Sequence, residues 1–314
     1  MQSVRRSSNS ETVCHVIMNP VAGRAHRDRL ALALRNCLPS WPVTLHAPGT
    51  PSEMQALIRS VGKDEDLVIA GGDGTLQCAL PALMETGHPL VVLPLGTAND
   101  FARQWGYTAD VNSVYKALSQ GTLMQVDVIQ CNDVPFLTVG GLGVGALLTR
   151  DFNWLRQQSP SLKRALESIG PEIYTAMAAA TIVGRRSYLR QLEIEASGAV
   201  CSGRFSNIFI CNQKRLGGQL CVAPLANSSD GLVDILCLRG ETPSELIHSL
   251  ACLRMNKEPK LSERITGRDV TLRACDGKPI LMFADGESYV LAPEIKITVH
   301  RKAISLLTEI GDVA

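Results

Sequence analysis

Over about the first 125 residues, short apolar runs alternate with stretches whose apolar side chains recur at helical spacing. Val13–Met18 (VCHVIM) reads as a strand, and Asn-Pro-Val-Ala-Gly separates it from a helix over Arg27–Leu38. Pro42–His46 reads as a second strand, and Pro51–Val61 as a helix entered through Ser52. Asp66–Ala70 is a third strand with its helix at Leu76–Glu85; Leu90–Leu93 is a fourth, and another helix begins within Thr97–Gln104. Such alternation predicts a parallel sheet with helices on both faces. In that architecture ligands bind beyond the carboxyl ends of the strands.

The texture changes after about Asp127. Gln125–Cys131, Phe136–Val139, Tyr188–Ala196, Ser206–Cys211, Leu232–Leu238, Asp269–Arg273, Ile280–Ala284 and Ile295–His300 read as strands. Turn signals separate most of them, with helical stretches near 160–184 and 243–255. This predicts a mostly antiparallel second domain. The expected division is an α/β domain over 1–127 and a β domain over 128–300. The apolar end AISLLTEI, within 301–314, would pack back on the first domain.

Composition narrows the function classes. A chain of 314 residues suits one large or two medium domains, and 45% hydrophobic residues suffice for a substantial core. The 31 basic and 30 acidic side chains leave a net charge of +1, without the basic footprint of a nucleic-acid binder. Ten cysteines include no C-x-x-C, and the six histidines have no ligand-like spacing, which argues against zinc. Cys14, Cys211 and Cys237 lie in apolar runs, as small core side chains do, and the set reads as reduced thiols in a cytoplasm. Arg5-Arg6 is followed by no signal-like apolar run, and Tyr174–Gly184 is too short to span a bilayer. Any membrane contact is expected to be peripheral. The basic pairs Lys163-Arg164, Arg185-Arg186, Lys214-Arg215 and Arg301-Lys302 would meet anionic lipid only if they share a face; scattered solvated charge explains them more simply.

Three polar, glycine-containing loops follow three of the N-terminal strands, so all three line one edge of the sheet. They lie in Asn19-Pro-Val-Ala-Gly-Arg24, Gly71-Gly-Asp-Gly-Thr75 and Leu93-Pro-Leu-Gly-Thr-Ala-Asn-Asp-Phe-Ala-Arg103. Glycines at a strand-to-helix turn let backbone N–H groups approach a phosphate. The P-loop pattern and its lysine are missing. Each loop also has a local explanation: Asp73 as a first-turn acid, and Thr97, Asn99 and Asp100 as helix caps. Their convergence points to a nucleotide site. Far along the chain, Asp285-Gly286 between two apolar runs is a hairpin signal; it leaves Glu287 unexplained except as a solvent-facing position.

Together, Gly71-Gly-Asp-Gly-Thr75, Pro94-Leu-Gly-Thr-Ala-Asn-Asp100 and Asp285-Gly-Glu287 resemble the diacylglycerol kinase-type lipid kinase family, most closely its soluble bacterial members. The likeness extends through Val126-Asp-Val128, Leu216-Gly-Gly218 and Ala223–Asp234. It implies a nucleotide-binding α/β domain like that of phosphofructokinases and NAD kinases, followed by a β-sandwich domain for the lipid. Gly71, Gly72, Asp73, Gly74, Thr75 and Thr97 would contact ATP, with Asn19 nearby. Asp73, Asp100 and Asp127 would hold the Mg²⁺-nucleotide network, partly through water. Glu287, oriented by Asp285, would be the general base on a lipid hydroxyl, with diacylglycerol the leading acceptor. A structural Mg²⁺ would take the Asp230 side chain and the Asn227 and Leu232 carbonyls. A homodimer is compatible with this reading.

Two positions depart from the family pattern: Gln77-Cys78 stands where Asn-Glu is common, and His46-Ala47 where a Thr is common. Other readings are an NAD kinase or phosphofructokinase sharing Gly-Gly-Asp-Gly-Thr, a non-catalytic nucleotide- or lipid-binding regulator, and a Rossmann dehydrogenase suggested by Gly141-Leu-Gly-Val-Gly145. The NAD-kinase-like Thr-Pro-Thr run is missing, and no sugar-phosphate arginine pocket is assignable. The regulator would be favoured by loss of Asp73 or Glu287, both of which are present. The 141–145 run has the wrong glycine spacing and lies outside the βαβ region.

Overall fold

A computed structural model describes residues 12–18, 24–96, 98–158, 181 and 188–309. Outside these fall the polar N-terminus with Arg5-Arg6, the 19–23 turn with Asn19, Thr97, nearly all of the helical stretch expected near 160–184, and the basic pairs at 163–164 and 185–186. The chain forms two compact units. One runs up to Asp127 and resumes at Arg301; the other is Val128–His300.

The first unit contains β1 (Cys14–Met18), α1 (Arg24–Cys37), β2 (Val43–His46), α2 (Pro51–Ser60), β3 (Asp66–Gly71), α3 (Asp73–Thr86), β4 (Pro89–Pro94), α4 (Asp100–Gln104) and α5 (Val111–Gln120). Strand β5 (Thr122–Cys131) leaves it, and β18 (Glu294–Thr308) re-enters it. The strand order β2-β1-β3-β4 is parallel throughout, with Met18 opposite Ala70 and Gly71 opposite Pro94. Ser305 and Leu306 of β18 continue the parallel ladder beyond β4. Gln125 Nε2 donates to Ser305 Oγ, the Tyr107 hydroxyl to the Leu307 carbonyl, and the Thr308 hydroxyl to the Trp105 carbonyl. Val16, Ile17, Val68, Ile69, Leu90 and Val91 are fully buried, which is why these strands are uniformly apolar rather than alternating.

Element ends differ from the sequence reading for local reasons. Helix α2 is capped by Thr50, whose side chain accepts the Glu53 N–H, because Pro51 fills the first helical position, where a missing N–H costs nothing. Ser52 is therefore inside the helix. Helix α3 starts at Asp73, three residues before the expected Leu76, and ends on Gly87 in the left-handed conformation (φ 63°). Helix α5 is an addition to the expected elements.

The second unit is a β-sandwich. One sheet has the antiparallel order β14-β13-β10-β7-β16-β17. Its strands are β7 (Val139–Gly143), β10 (Asn207–Cys211), β13 (Val233–Leu238), β14 (Ser262–Gly267), β16 (Ile280–Ala284) and β17 (Glu287–Leu291). Facing it, β8 (Arg190–Ala196) lies between β9 (Ala199–Phe205) and β15 (Asp269–Ala274), and β15 pairs with the start of β18. The end of β5 pairs with β6 (Val134–Phe136). A small ribbon joins β11 (Arg215–Leu216) to β12 (Leu220–Cys221). Ile208, Ile210, Ile235 and Met282 meet Ile194, Leu272, Ile295 and Ile297 between the sheets.

The alternate residues Phe209, Cys211, Leu236 and Phe283 pack on the opposite face. There they meet α6 (Val144–Gln158) through Val144 and Ala146, and α7 (Pro243–Arg254) through Leu246 and Leu253. Burial on both faces explains why β10 is apolar at nearly every position. The glycines at 141–145 belong to β7 and the start of α6: a Cβ at Gly141 would collide with the Ile208 carbonyl of the paired strand. Close strand packing accounts for that run without a dinucleotide.

Candidate active-site residues

In the first unit, β3 and β4 end level, so the loops leaving them emerge side by side at the carboxyl edge. The Leu95 N–H still reaches the Gly71 carbonyl at 3.0 Å; beyond it the two chains touch through glycine. A Cβ on Gly96 would lie 2.6 Å from the Gly72 Cα, and one on Gly72 would lie 3.0 Å from the Gly96 Cα. A Cβ at Gly71 would collide with the Thr75 side chain. Two of the three sequence-singled loops are thereby brought into van der Waals contact by residues that have no side chain.

Asp73 binds the same pair of loops together. Its Oδ2 accepts the Asp100 N–H at 3.1 Å and its Oδ1 the Phe101 N–H at 3.2 Å. These are the first amides of α4, whose own N-cap, Asn99, makes no side-chain cap bond. The Asn99 side chain instead turns back: its Oδ1 accepts the Gly96 N–H, and its Nδ2 donates to the Gly96 carbonyl. Asp73 is thus a first-turn acid of its own helix and the cap of the next. Burial raises its pKa, partly opposed by the N–H groups of Asp100 and Phe101. The N-cap of helix α3 is Gly72, which supplies no side-chain cap, and Gly74 in the first turn is exposed. Uncapped amides at a helix N-terminus are suited to an anion.

Asp100 and Asp127 are buried. The Asp127 Oδ1 accepts the Lys302 N–H at 2.6 Å, where Lys302 has φ 53°. Oxygen donors suit Mg²⁺, and an ionised carboxylate has about four lone-pair positions. The carboxylates of Asp73, Asp100 and Asp127 are donors of that kind, so the set fits the ion in chemistry. The unorthodox Gln77-Cys78 pair lies in α3, where the Cys78 carbonyl accepts from Gln55 of α2 at 3.0 Å. His46 stacks on His15, with ring centroids 5.2 Å apart and Nε2 3.0 Å from the His15 Nδ1.

In the second unit, Asp285 and Gly286 occupy the two central positions of the β16–β17 turn, with φ 46° and 84°. Positive φ at both positions gives the mirror-image turn that matches strand twist, for which Asp-Gly is favoured. The buried Asp285 carboxylate accepts the N–H groups of Leu137 (2.9 Å) and Thr138 (2.8 Å) and the Thr138 hydroxyl. It anchors the hairpin to the β6–β7 turn. Glu287, the next residue but one, is exposed at the start of β17. Asn153 of α6, which nothing in the sequence singled out, donates from Nδ2 to the Gly286 carbonyl (3.1 Å) and to the Glu287 Oε2 (3.2 Å).

The 227–232 loop is a pair of side-chain-closed turns. Asn227 Oδ1 accepts the Ser229 N–H, and Asp230 Oδ1 the Leu232 N–H. Gly231 takes φ 78°. Asn227 and Asp230 are exposed, so this loop offers hard oxygen donors of the type Mg²⁺ prefers. Among the described residues no three His, Cys, Asp or Glu side chains gather as a metal site, so any ion here would also need carbonyl or water ligands.

Residues 13–131 match the diacylglycerol kinase catalytic domain, and residues 163–308 match the YegS C-terminal NAD kinase beta sandwich-like domain. The chain is 33% identical over 190 residues to "Probable lipid kinase YegS-like" of Shewanella frigidimarina (strain NCIMB 400), covering 59% of this chain and 57% of that protein. The match thus spans less than two thirds of that relative. It is 27% identical over 239 residues to "Diacylglycerol kinase" of Mycobacterium tuberculosis (strain ATCC 25618 / H37Rv), covering 74% and 73%. A solved diacylglycerol kinase structure from Bacillus anthracis str. Sterne superposes with a TM-score of 0.71 at 16% identity, over 96% of this chain and 98% of that one. That likeness is one of fold, an α/β domain followed by a β-sandwich. With a catalytic-domain match leading into a sandwich-domain match along most of its length, the chain belongs to the diacylglycerol kinase-type lipid kinase family.

Proposed function

We propose that the chain is an ATP-dependent lipid kinase that transfers the γ-phosphate to a lipid hydroxyl, with diacylglycerol as acceptor and phosphatidic acid as product. The observation that carries this is the N-terminus of α3, which has no side-chain cap and an exposed Gly74, set beside the glycine-to-glycine contact of the β3 and β4 loops; backbone N–H groups of that kind suit a polyphosphate. Gly71, Gly72, Gly74 and Thr75 would line the nucleotide, with Asn19 and Thr97 completing the loops. Asp73, Asp100 and Asp127 would hold Mg²⁺ with ATP, in part through water. The ion would neutralise charge on the phosphates, since phosphoryl transfer depends mostly on positioning and electrostatic stabilisation.

Glu287 would accept the proton of the attacking hydroxyl, and Asp285 would fix the turn from which it projects. A carboxylate is a weak base for an alcohol, but a loose transition state releases the proton late, so holding the hydroxyl in line counts for more than basicity. Asn227, Asp230 and Leu232 would hold a structural Mg²⁺. Among the described residues no helix is long and apolar enough to cross a membrane. Peripheral contact with a cytoplasmic membrane surface would bring the lipid to the enzyme.

The test incubates the chain with Mg²⁺, γ-labelled ATP and a panel of diacylglycerol, other glycerides, sphingoid bases and NAD. Label in diacylglycerol supports the proposal. Label in NAD alone, or in no lipid, would sink it.

A further inference from the structure

Asn153 lies in the stretch between the two family matches and holds the turn and carboxylate on which the proposed chemistry depends. Its side chain is half-buried on α6, against β17. The Gly286 carbonyl and an ionised Glu287 are acceptors only, so the amide must present its nitrogen to both. One NH₂ group thereby ties the last residue of the turn to the side chain that follows it.

Glu287 is exposed at the first position of an edge strand, where a glutamate side chain has rotamer freedom to lose on being fixed. A carboxylate offers about four lone-pair positions over two oxygens, so a donor on one side of Oε2 does not prevent it from accepting a proton. Asn153 comes from a different element than Asp285. Asp285 fixes the backbone of the turn through β6–β7, whereas Asn153 fixes the side chain itself.

We propose that Asn153 is a positioning residue for phosphoryl transfer, holding Glu287 where its carboxylate meets the acceptor hydroxyl. In the step it serves, the hydroxyl oxygen bonds to the γ-phosphorus as the bond from that phosphorus to the β,γ-bridging oxygen breaks. ADP departs, and the hydroxyl proton passes to Glu287 and then to water. The inference rests on reading Glu287 as the base.

The experiment compares the parent, Asn153→Leu, Asn153→Gln, Asn153→Asp and Glu287→Gln, using Mg-ATP and diacylglycerol in detergent mixed micelles. Asn153→Leu is expected to lower kcat about 10- to 100-fold, as misplaced catalytic groups do, with KM for ATP and the melting temperature unchanged. Asn153→Gln keeps the donor and should recover part of the loss. Asn153→Asp sets a second carboxylate beside Glu287 and should move the acid limb of the pH–rate profile up by about one unit. An Asn153→Leu enzyme with parental kcat, or an Asn153→Asp enzyme with the parental pH profile, overturns the inference alone, provided that Glu287→Gln is inactive. A fully active Glu287→Gln, or a parent that labels no lipid, overturns the base reading and this inference with it.

Discussion

Substituting Gly96 by alanine tests the contact on which the first unit's loops are built. The new Cβ would lie 2.6 Å from the Gly72 Cα and 2.7 Å from the Asn99 Oδ1, well short of the 3.4 Å at which ordinary contact begins. Neither neighbour can retreat freely. The Gly72 Cα is backbone between the end of β3 and the first turn of α3. The Asn99 Oδ1 accepts the N–H of residue 96 itself, so moving it away breaks that bond. Overpacking costs about 1–3 kcal/mol, and the lost hydrogen bond adds about 0.5–1.5 kcal/mol. The sum is about 1.5–4.5 kcal/mol.

Gly72→Ala is the internal comparison. Its Cβ would lie 3.0 Å from the Gly96 Cα and 3.6 Å from the Asn99 Oδ1, so a shift of a few tenths of an ångström relieves it. Scanning calorimetry of the full chain should show the first unit's transition lowered by on the order of 5–10 °C in Gly96→Ala, and by much less in Gly72→Ala. ATP binding, read by the stabilisation that added Mg-ATP confers, should fall in the same order. Equal melting temperatures for Gly96→Ala and the parent, or a reversed order of the two variants, would refute the steric reasoning.

Asp285→Ala should lower stability by about 3–5 kcal/mol, because two backbone N–H groups lose a buried acceptor; Glu287→Gln, two residues on but exposed, should stay within about 0.5 kcal/mol in the same denaturant titration. Burial and then His15 hold the His46 pKa below 6.5. The unfolded chain therefore binds the proton first, and stability present above pH 6.5 is lost as pH falls through the folded value. Melting at pH 7.5 and 5.5 should show a smaller acid loss in His46→Gln than in the parent; identical losses would refute the assignment. Burial and then Asp66 push the Cys14 thiol up to about 12, and burial drives Cys211 well above its ordinary value, whereas Cys275 is exposed. Iodoacetamide at pH 8 should alkylate Cys275 in the folded chain and spare Cys14 and Cys211 until denaturant is added; rapid labelling of Cys14 would contradict this.

The parallel sheet was legible because β1, β3 and β4 are buried on both faces and punctuated by glycine loops, two signals that reinforce each other. The Asp-Gly hairpin was legible for a similar reason, since its turn chemistry is local. Strand β9 was not: Ala-Val-Cys-Ser-Gly-Arg-Phe is largely exposed at the sheet edge and carries little apolar signal. Strand β14 escaped likewise, as Ser-Glu-Arg-Ile-Thr-Gly at the edge of the other sheet. The glycines and Asp73 could be singled out from their position between strand and helix. That Asp73 would cap α4 rather than only begin α3 could not, because the bond spans 27 residues. Asn153 left no trace at all: one asparagine on a helix surface acquires meaning only from the turn it meets in space.

Because the first unit takes its last strand from the far end of the chain, its assembly is tied to the order of synthesis. Until Ser305 and Leu306 leave the ribosome, the outer edge of β4 has no partner, the Tyr107 hydroxyl lacks the Leu307 carbonyl, and the Asp127 carboxylate lacks the Lys302 N–H. At about 5–20 residues per second, the roughly 170 residues of intervening chain hold this half-sheet open for on the order of ten to thirty seconds. An exposed parallel edge is a template for wrong pairing. Nascent chains stalled between residues 130 and 300 are therefore where chaperone dependence and premature aggregation of this protein should be sought.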